Sequence, residues 1–445
     1  MRNTLQDVFR NGFDHYKKAH GLSLEQNEAA QAIMRCQTDE LGSEEWICHD
    51  DGYTETIPHS CRHRSCPRCN GGLTHDWLEK SRARLLACDH YHVVFTLPHE
   101  LNALWQYNRA WCTDRLFKAA VETLKQLLSD ERYLGAEVGI LAALHTWGRT
   151  LSFHPHVHLL VTGGGVARDG HWQACQRDFL LPVGVIKAKF RGKWLHWLNA
   201  AYAAGEIRLP EYWREADLKK ALSTVAKKNW NVRIQGAYRH GQGVASYLAR
   251  YVRGGPIKDS RLLEAGDAAI RFRYRDHHDG KDKVMVLKTE HFIGRVLSHV
   301  PVKGHHVVRY YGIYVPGAHK ARAVARRELG MEAEKRYEPT SKPRHCPNCG
   351  NVLFHHLSRR CKNSYIRCAP VQPVINRLLK KYTRNEHSSH DRPVFSWFRA
   401  ASGDFSSFSS CFSPLRRGFS AQRADCSCRR PTSALYAAGW PGAAG

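Results

Sequence analysis

The sequence predicts an α+β protein, an antiparallel sheet with helices against it, flanked by two cysteine-bearing segments. Three observations carry that expectation. Strand-like and helix-like hydrophobic patterns are mixed along the chain without the regular βαβ alternation of a parallel sheet. In the run Leu151–Thr162, His154, His156 and His158 alternate with apolar Val157, Leu159 and Val161, as in a strand with one wall of imidazoles. Eight of the 15 cysteines fall in two short clusters, one near each end of that mixed region.

Taken in order, residues 1–45 read as a helical lead-in, with Leu5, Val8, Phe9 and Phe13 at helical spacing. Residues 46–88 are polar and rich in Cys and His, which suits a small metal-stapled module with a DNA-contact role. Residues 89–330 carry the patterns of the main domain. Tyr91–Leu97 is a buried strand stopped by Pro98, and Asn102–Asp130 is one long amphipathic helix. Val138–Leu144 and Pro155–Thr162 make an antiparallel pair, the second strand ended by Gly163-Gly-Gly165. Val185–Ala204 is a Lys-studded helix, Trp230–Gln235 a strand, and Val244–Val252 a helix entered through Gly241 and Gly243. Arg271–Arg275 and Val284–Lys288 form a hairpin around Asp279-Gly280. A helix from Glu290 and a strand at Val307–Tyr314 close the domain. Residues 340–370 read as a second, ribbon-like segment. Residues 383–445 show no pattern able to bury a core and are expected to be a disordered tail, or frame drift at the end of a mobile gene.

With 67 Lys+Arg against 41 Asp+Glu in 445 residues, the formal net charge of +26 favours a polyanionic partner, nucleic acid first. No apolar run is long enough to span a bilayer, and the N-terminus lacks a secretory h-region, so the chain is expected inside the cell. No Gly-x4-Gly-Lys-Ser/Thr loop is present, which argues against nucleotide hydrolysis.

Cys61, Cys66 and Cys69, with Cys48 upstream, give an all-thiolate set for a tetrahedral zinc ion, with His49, His59 or His63 as substitutes. Arg62, Arg64 and Arg68 between those ligands suit phosphate contacts. Cys346-Pro-Asn-Cys349-Gly is a second zinc knuckle, closed by Cys361 and Cys368, with His355 and His356 as competitors. Cys36, Cys88, Cys112, Cys175, Cys411, Cys426 and Cys428 follow no persuasive pattern.

Imidazoles on one strand face can hold a divalent cation, which polarises a phosphate. Tyr247 and Tyr251 stand at i, i+4, on one side of a helix, where a phenol could attack that phosphate. Either feature alone is more often ordinary packing, and a zinc hydrolase using His-x-His is a further reading of the strand.

The chain resembles the rolling-circle insertion-sequence transposases of the HUH endonuclease superfamily, in the two-tyrosine subgroup with an N-terminal zinc-binding domain. The resemblance runs through Ser60–Cys69, Tyr91–Pro98, His154-Pro-His-Val-His158, Gly163–Gly165, Tyr247-Leu-Ala-Arg-Tyr251 and Phe292–Pro301. It implies an RRM-like HUH palm in which His156 and His158 hold Mg or Mn and Tyr247 and Tyr251 are the nucleophiles. It also implies structural zinc and single-stranded DNA at element ends and target as partner, with host replication proteins alongside, in the nucleoid of a bacterial cytoplasm. The implied reaction cuts and rejoins DNA through a 5′-phosphotyrosine. A third ligand for the catalytic cation is open between His154 and a distant Asp, Glu or Gln. Family knuckles often begin Cys-x-x-Cys-Gly, whereas Cys48 is followed by Asp51-Gly52, which leaves the fourth zinc ligand open. A plasmid replication initiator or relaxase with the same chemistry, and a non-enzymatic zinc-finger DNA-binding regulator, are the alternatives.

Overall fold

A capping box opens the first helix of the computed structural model, which describes residues 3–176, 180–238, 255–276, 278–334, 337–338 and 343–360. Thr4 and Asp7 bond each other's backbone at the start of α1 (Leu5–Ala19), satisfying N–H groups that a helix start leaves unpaired. Ser23 and Gln26 repeat the device at α2 (Leu24–Arg35). The hairpin β1 (Gly42–Ile47) and β2 (Thr54–Pro58) follows, then α3 (Gly71–Arg84), which hydrophobic spacing did not reveal. Next comes β3 (His90–Thr96), the strand expected from Tyr91.

The single helix expected over Asn102–Asp130 is two, α4 (Asn102–Tyr107) and α5 (Arg109–Leu128). Asn108 sits between them at φ −131°, ψ 43°, with its amide donating to the carbonyls of Leu104 and Arg208. That local bond competes with the helix, as Asn side chains do.

The strands β4 (Ala136–Trp147) and β5 (Phe153–Ala167) pair antiparallel, with β6 (Trp172–Ala174) against the end of β5. Gly163–Gly165 does not end β5 as expected; the strand runs on to Ala167. A Cβ on Gly165 would lie 2.5 Å from the Glu137 carbonyl oxygen, so the glycine admits a close neighbour instead of breaking the strand.

Beyond these lie α6 (Val183–Ala203), α7 (Glu215–Lys227) and β7 (Val232–Tyr238). The helix expected at Val244–Val252 falls outside the described residues. The chain is described again from Gly255 through β8 (Leu262–Ala265), β9 (Ala269–Arg275), β10 (Asp282–Lys288) and α8 (Thr289–Ser298). The last elements are β11 (Val308–Gly312), α9 (His319–Glu328) and β12 (Phe354–Arg360).

The central antiparallel sheet runs β11-β4-β5-β3-β7. Strand alternation sorts its two faces. Tyr91, Val93, Phe95, Ile140, Ala142, Leu144, Val157, Leu159 and Val161 pack beneath α5 and α6, with Phe117, Phe190 and Trp194, in the main core. On the other face Leu141, Ala143 and Leu160 join Leu85, Ile313 and Ala325 in a second apolar cluster. The same face carries His92, His145, His156 and His158, with Thr96 and Gln235 paired beside them.

The N-terminal helices are more than a lead-in. Leu5, Phe9, Phe13 and Ile33 share a buried cluster with Phe272 of β9 and Phe292 and Ile293 of α8. The sheet β10-β9-β8 completes this layer, and a third sheet joins β12-β1-β2. All described residues belong to one unit, Met1–Pro370. Among them no helix is long and apolar enough to cross a membrane.

Candidate functional site

The pleat of β5 turns His156 and His158 to the face opposite Val157 and Leu159. The antiparallel register sets His145 of β4 directly across from His156. One ring nitrogen from each of His145, His156 and His158 lies within 4.8 Å of the others, the arrangement three ligands of one cation require. Burial holds the His156 imidazole down at about 4, and pushes His145 and His158 well below the usual range, with repulsion among the rings adding to it. All three are therefore neutral near pH 7, with lone pairs to donate.

Hydrogen bonds choose which nitrogen donates. His156 Nδ1–H donates to the backbone carbonyl of His154 at 2.7 Å, directing Nε2 to the cluster. His158 Nδ1 lies 2.8 Å from His92 Nε2, and His92 Nδ1 lies 2.8 Å from Gln235 Oε1. The Gln235 oxygen, which also accepts from the Tyr238 hydroxyl at 3.0 Å, can only accept. His92 then carries its proton on Nδ1 and accepts through Nε2, so His158 carries its own on Nδ1 and presents Nε2 to the cluster. Such outer partners fix tautomer and ring orientation in metal sites.

His145 is the candidate ligand that sequence reasoning missed. It stands in a mostly apolar strand, and only strand register brings it across from His156. His154, one of the options for third ligand, is exposed and is not in the cluster; it contributes its carbonyl. Tyr247 and Tyr251 lie outside the described residues.

The zinc-ligand expectation needs a correction. Cys61, Cys66 and Cys69 gather with Cys36, not Cys48, their sulfurs within 4.8 Å of one another. Cys36 caps the C-terminus of α2, and the Gln6 amide holds that end by donating to the carbonyls of Ile33, Met34 and Cys36. No CxxC turn surrounds Cys36, so its role had no local signal. Arg68 is exposed, and its guanidinium donates to Gln37 Oε1 at 2.7 Å and to Gln6 Oε1 at 2.5 Å, bracing the knuckle against α1 and the end of α2.

Cys48 is carried off by β1 to a different group, with Asp51, Cys346 and Cys349. Cys361 and Cys368, expected to close the second knuckle, lie outside the described residues.

A family model described as "Transposase zinc-binding domain" matches residues 8–97, which include Cys36, Cys61, Cys66 and Cys69. A second, described as "Putative transposase", matches residues 139–322, which include all three clustered histidines. The "Putative transposase y4qJ" of Sinorhizobium fredii (strain NBRC 101917 / NGR234) is 39% identical over 313 residues, 69% of this chain and 79% of the relative. The "Transposase for insertion sequence element IS801" of Pseudomonas savastanoi pv. phaseolicola is 30% identical over 366 residues, 77% of this chain and 86% of the relative.

Proposed function

This chain belongs to the insertion-sequence transposases of the HUH endonuclease superfamily that carry an N-terminal zinc-binding domain, and from that premise we propose that it cuts and rejoins single DNA strands through a 5′-phosphotyrosine. The observation that carries the reading is the convergence of His145, His156 and His158, all neutral, with His156 and His158 held in defined tautomers. A Mn²⁺ or Mg²⁺ ion held there would polarise the non-bridging oxygens of a scissile phosphate. Imidazole donors favour Mn²⁺ of the two. Among the described residues the donor set contains no carboxylate, so no charge on these ligands offsets the attraction for phosphate.

Tyr247 or Tyr251 supplies the nucleophile. The phenol oxygen forms a bond to phosphorus as its proton leaves, the P–O3′ bond breaks, and the departing oxygen takes up a proton as a 3′-OH. The 5′ phosphate stays on the tyrosine until another 3′-OH attacks it and restores the phenol. One phosphoester replaces another, so no nucleotide is consumed.

The flanks of the tyrosine-bearing segment support the assignment. Tyr238, where β7 ends, has its ring 6.5 Å from that of His92, and Tyr247 follows nine residues later. Gly255, on the far side, packs against the Ser65 carbonyl of the first knuckle. The charge of +26 suits single-stranded DNA at element ends and target.

The test is an oligonucleotide carrying the element end, incubated with Mn²⁺ and resolved under denaturing conditions. A covalent adduct is expected from the native chain and none from the Tyr247→Phe, Tyr251→Phe double variant. Tight binding with no adduct from the native chain would refute the reading in favour of a DNA-binding regulator.

A further inference from the structure

We propose that Cys48, Asp51, Cys346 and Cys349 bind a second structural zinc ion, in a ribbon assembled from segments nearly three hundred residues apart in the chain. The two halves are built alike. At Cys48-His-Asp-Asp51-Gly52, the Cys48 N–H donates to the Tyr53 carbonyl at 2.8 Å and the Gly52 N–H to the Cys48 carbonyl at 3.1 Å. At Cys346-Pro-Asn-Cys349-Gly350, the Cys346 N–H donates to the Asn351 carbonyl at 2.7 Å and the Gly350 N–H to the Cys346 carbonyl at 2.9 Å. Gly52 and Gly350 both take left-handed geometry, at φ 73° and 79°. These are two copies of one knuckle, and Asp51 occupies in the first the position Cys349 holds in the second.

The donors face one another. Cys48 Sγ lies 3.5 Å from Cys349 Sγ, and Cys346 Sγ lies 3.1 Å from Asp51 Oδ2. The thiols are unbridged, and their spacing is far beyond the ~2.05 Å of a disulfide. Sulfurs about 2.3 Å from a shared tetrahedral zinc sit roughly 3.8 Å apart, close to what is observed. The other Asp51 oxygen accepts from the Tyr53 N–H at 3.0 Å, which aims Oδ2 into the cluster. Asn351 donates to Asp50 at 2.9 Å, tying knuckle to knuckle.

The surrounding module gives the ion a reason. β12 pairs with β1 from Gly42 to Ile47, and β2 pairs along the other edge of β1. The apolar core under these three strands is Cys48, Cys346 and Leu353, with Trp46 and Tyr53 partly buried. So small a core cannot hold a sheet by itself and calls for a staple. A carboxylate in the donor set also makes this ion easier to extract than the one at Cys36, Cys61, Cys66 and Cys69, because zinc binds thiolate more strongly than carboxylate.

The experiment is elemental zinc analysis of the full chain and its variants, with hydrogen exchange of residues 42–58 and 343–360 followed in parallel. Cys346→Ser with Cys349→Ser is expected to lose about one zinc per chain, and exchange should rise in both segments together. Asp51→Cys, which completes four thiolates, should keep that zinc and release it to a chelator about tenfold more slowly or slower still. Cys361→Ser with Cys368→Ser should leave the zinc content unchanged. The proposal is overturned if the Cys346, Cys349 variant keeps all its zinc, if the Cys361, Cys368 variant loses one, or if Asp51→Cys releases zinc as the native chain does.

Discussion

Replacing Gln235 with Leu tests whether the cation's ligands are preset by hydrogen bonds. The side chain is half-buried, so a residue of similar volume fits, but the acceptor that fixes the His92 tautomer is gone. His92 can then keep its proton on Nε2 and donate to His158 Nδ1 across the same 2.8 Å, which forces the His158 proton onto Nε2, the atom that should bind metal. Loss of an outer-shell partner typically lowers metal affinity by about ten- to a hundredfold, or about 1.4–2.7 kcal/mol. Titrating Mn²⁺ into the native chain and the variant, with thermal melts to show that both fold, reads this out. Gln235→Glu supplies the control: a carboxylate accepts from His92 and Tyr238 as the amide oxygen does, so affinity should hold or rise. If Gln235→Leu binds Mn²⁺ as the native chain does, the tautomer argument is wrong.

Three further outcomes are expected. His145→Ala should abolish the covalent adduct while leaving salt-sensitive DNA binding in place, whereas His154→Ala, which keeps the carbonyl that orients His156, should change Mn²⁺ affinity by no more than about twofold; titration and adduct assays separate the two. Cys36→Ser should strip zinc from the first cluster and Cys48→Ser should not, as zinc analysis with exchange at residues 61–70 would report. Acid should destabilise the fold between about pH 6.5 and 4. Burial holds His90 and His299 down at about 4, so the unfolded chain binds more protons in that window and stability falls as pH falls, by on the order of 3 kcal/mol per residue at its lower end. A melting temperature that stays flat from pH 7 to 4 would contradict this.

What the sequence disclosed follows the range of the interaction responsible. β5, α6 and the hairpin β9–β10 were legible because a strand or helix writes its period into neighbouring residues. So were His156 and His158, because a pleat puts them on one face. The break at Asn108 was not, since the apolar spacing of Leu104, Leu116 and Leu124 continues across it while the side-chain bond to Arg208 comes from a hundred residues away. The run of Gly163–Gly165 misled for a related reason: glycine marks a breaker when read alone, and a close neighbour once Glu137 is in view.

The candidate metal ligands make the same point more sharply. In each cluster the locally spaced donors could be named in advance (Cys61, Cys66 and Cys69; Cys346 and Cys349; His156 and His158), and the donors that complete it could not be placed there: Cys48 was assigned to the wrong cluster, and Cys36, Asp51 and His145 to none. Cys36 is delivered by the end of α2, Cys48 by β1, and His145 by the register of β4 against β5. A ligand pair in one turn or strand costs little entropy to assemble, but a tetrahedron closed by a remote residue requires the surrounding fold first. The completing ligands therefore report on tertiary structure. Removing Cys36, Cys48 or His145 should loosen the contacts between distant segments as well as the metal, read as hydrogen exchange rising in both segments together.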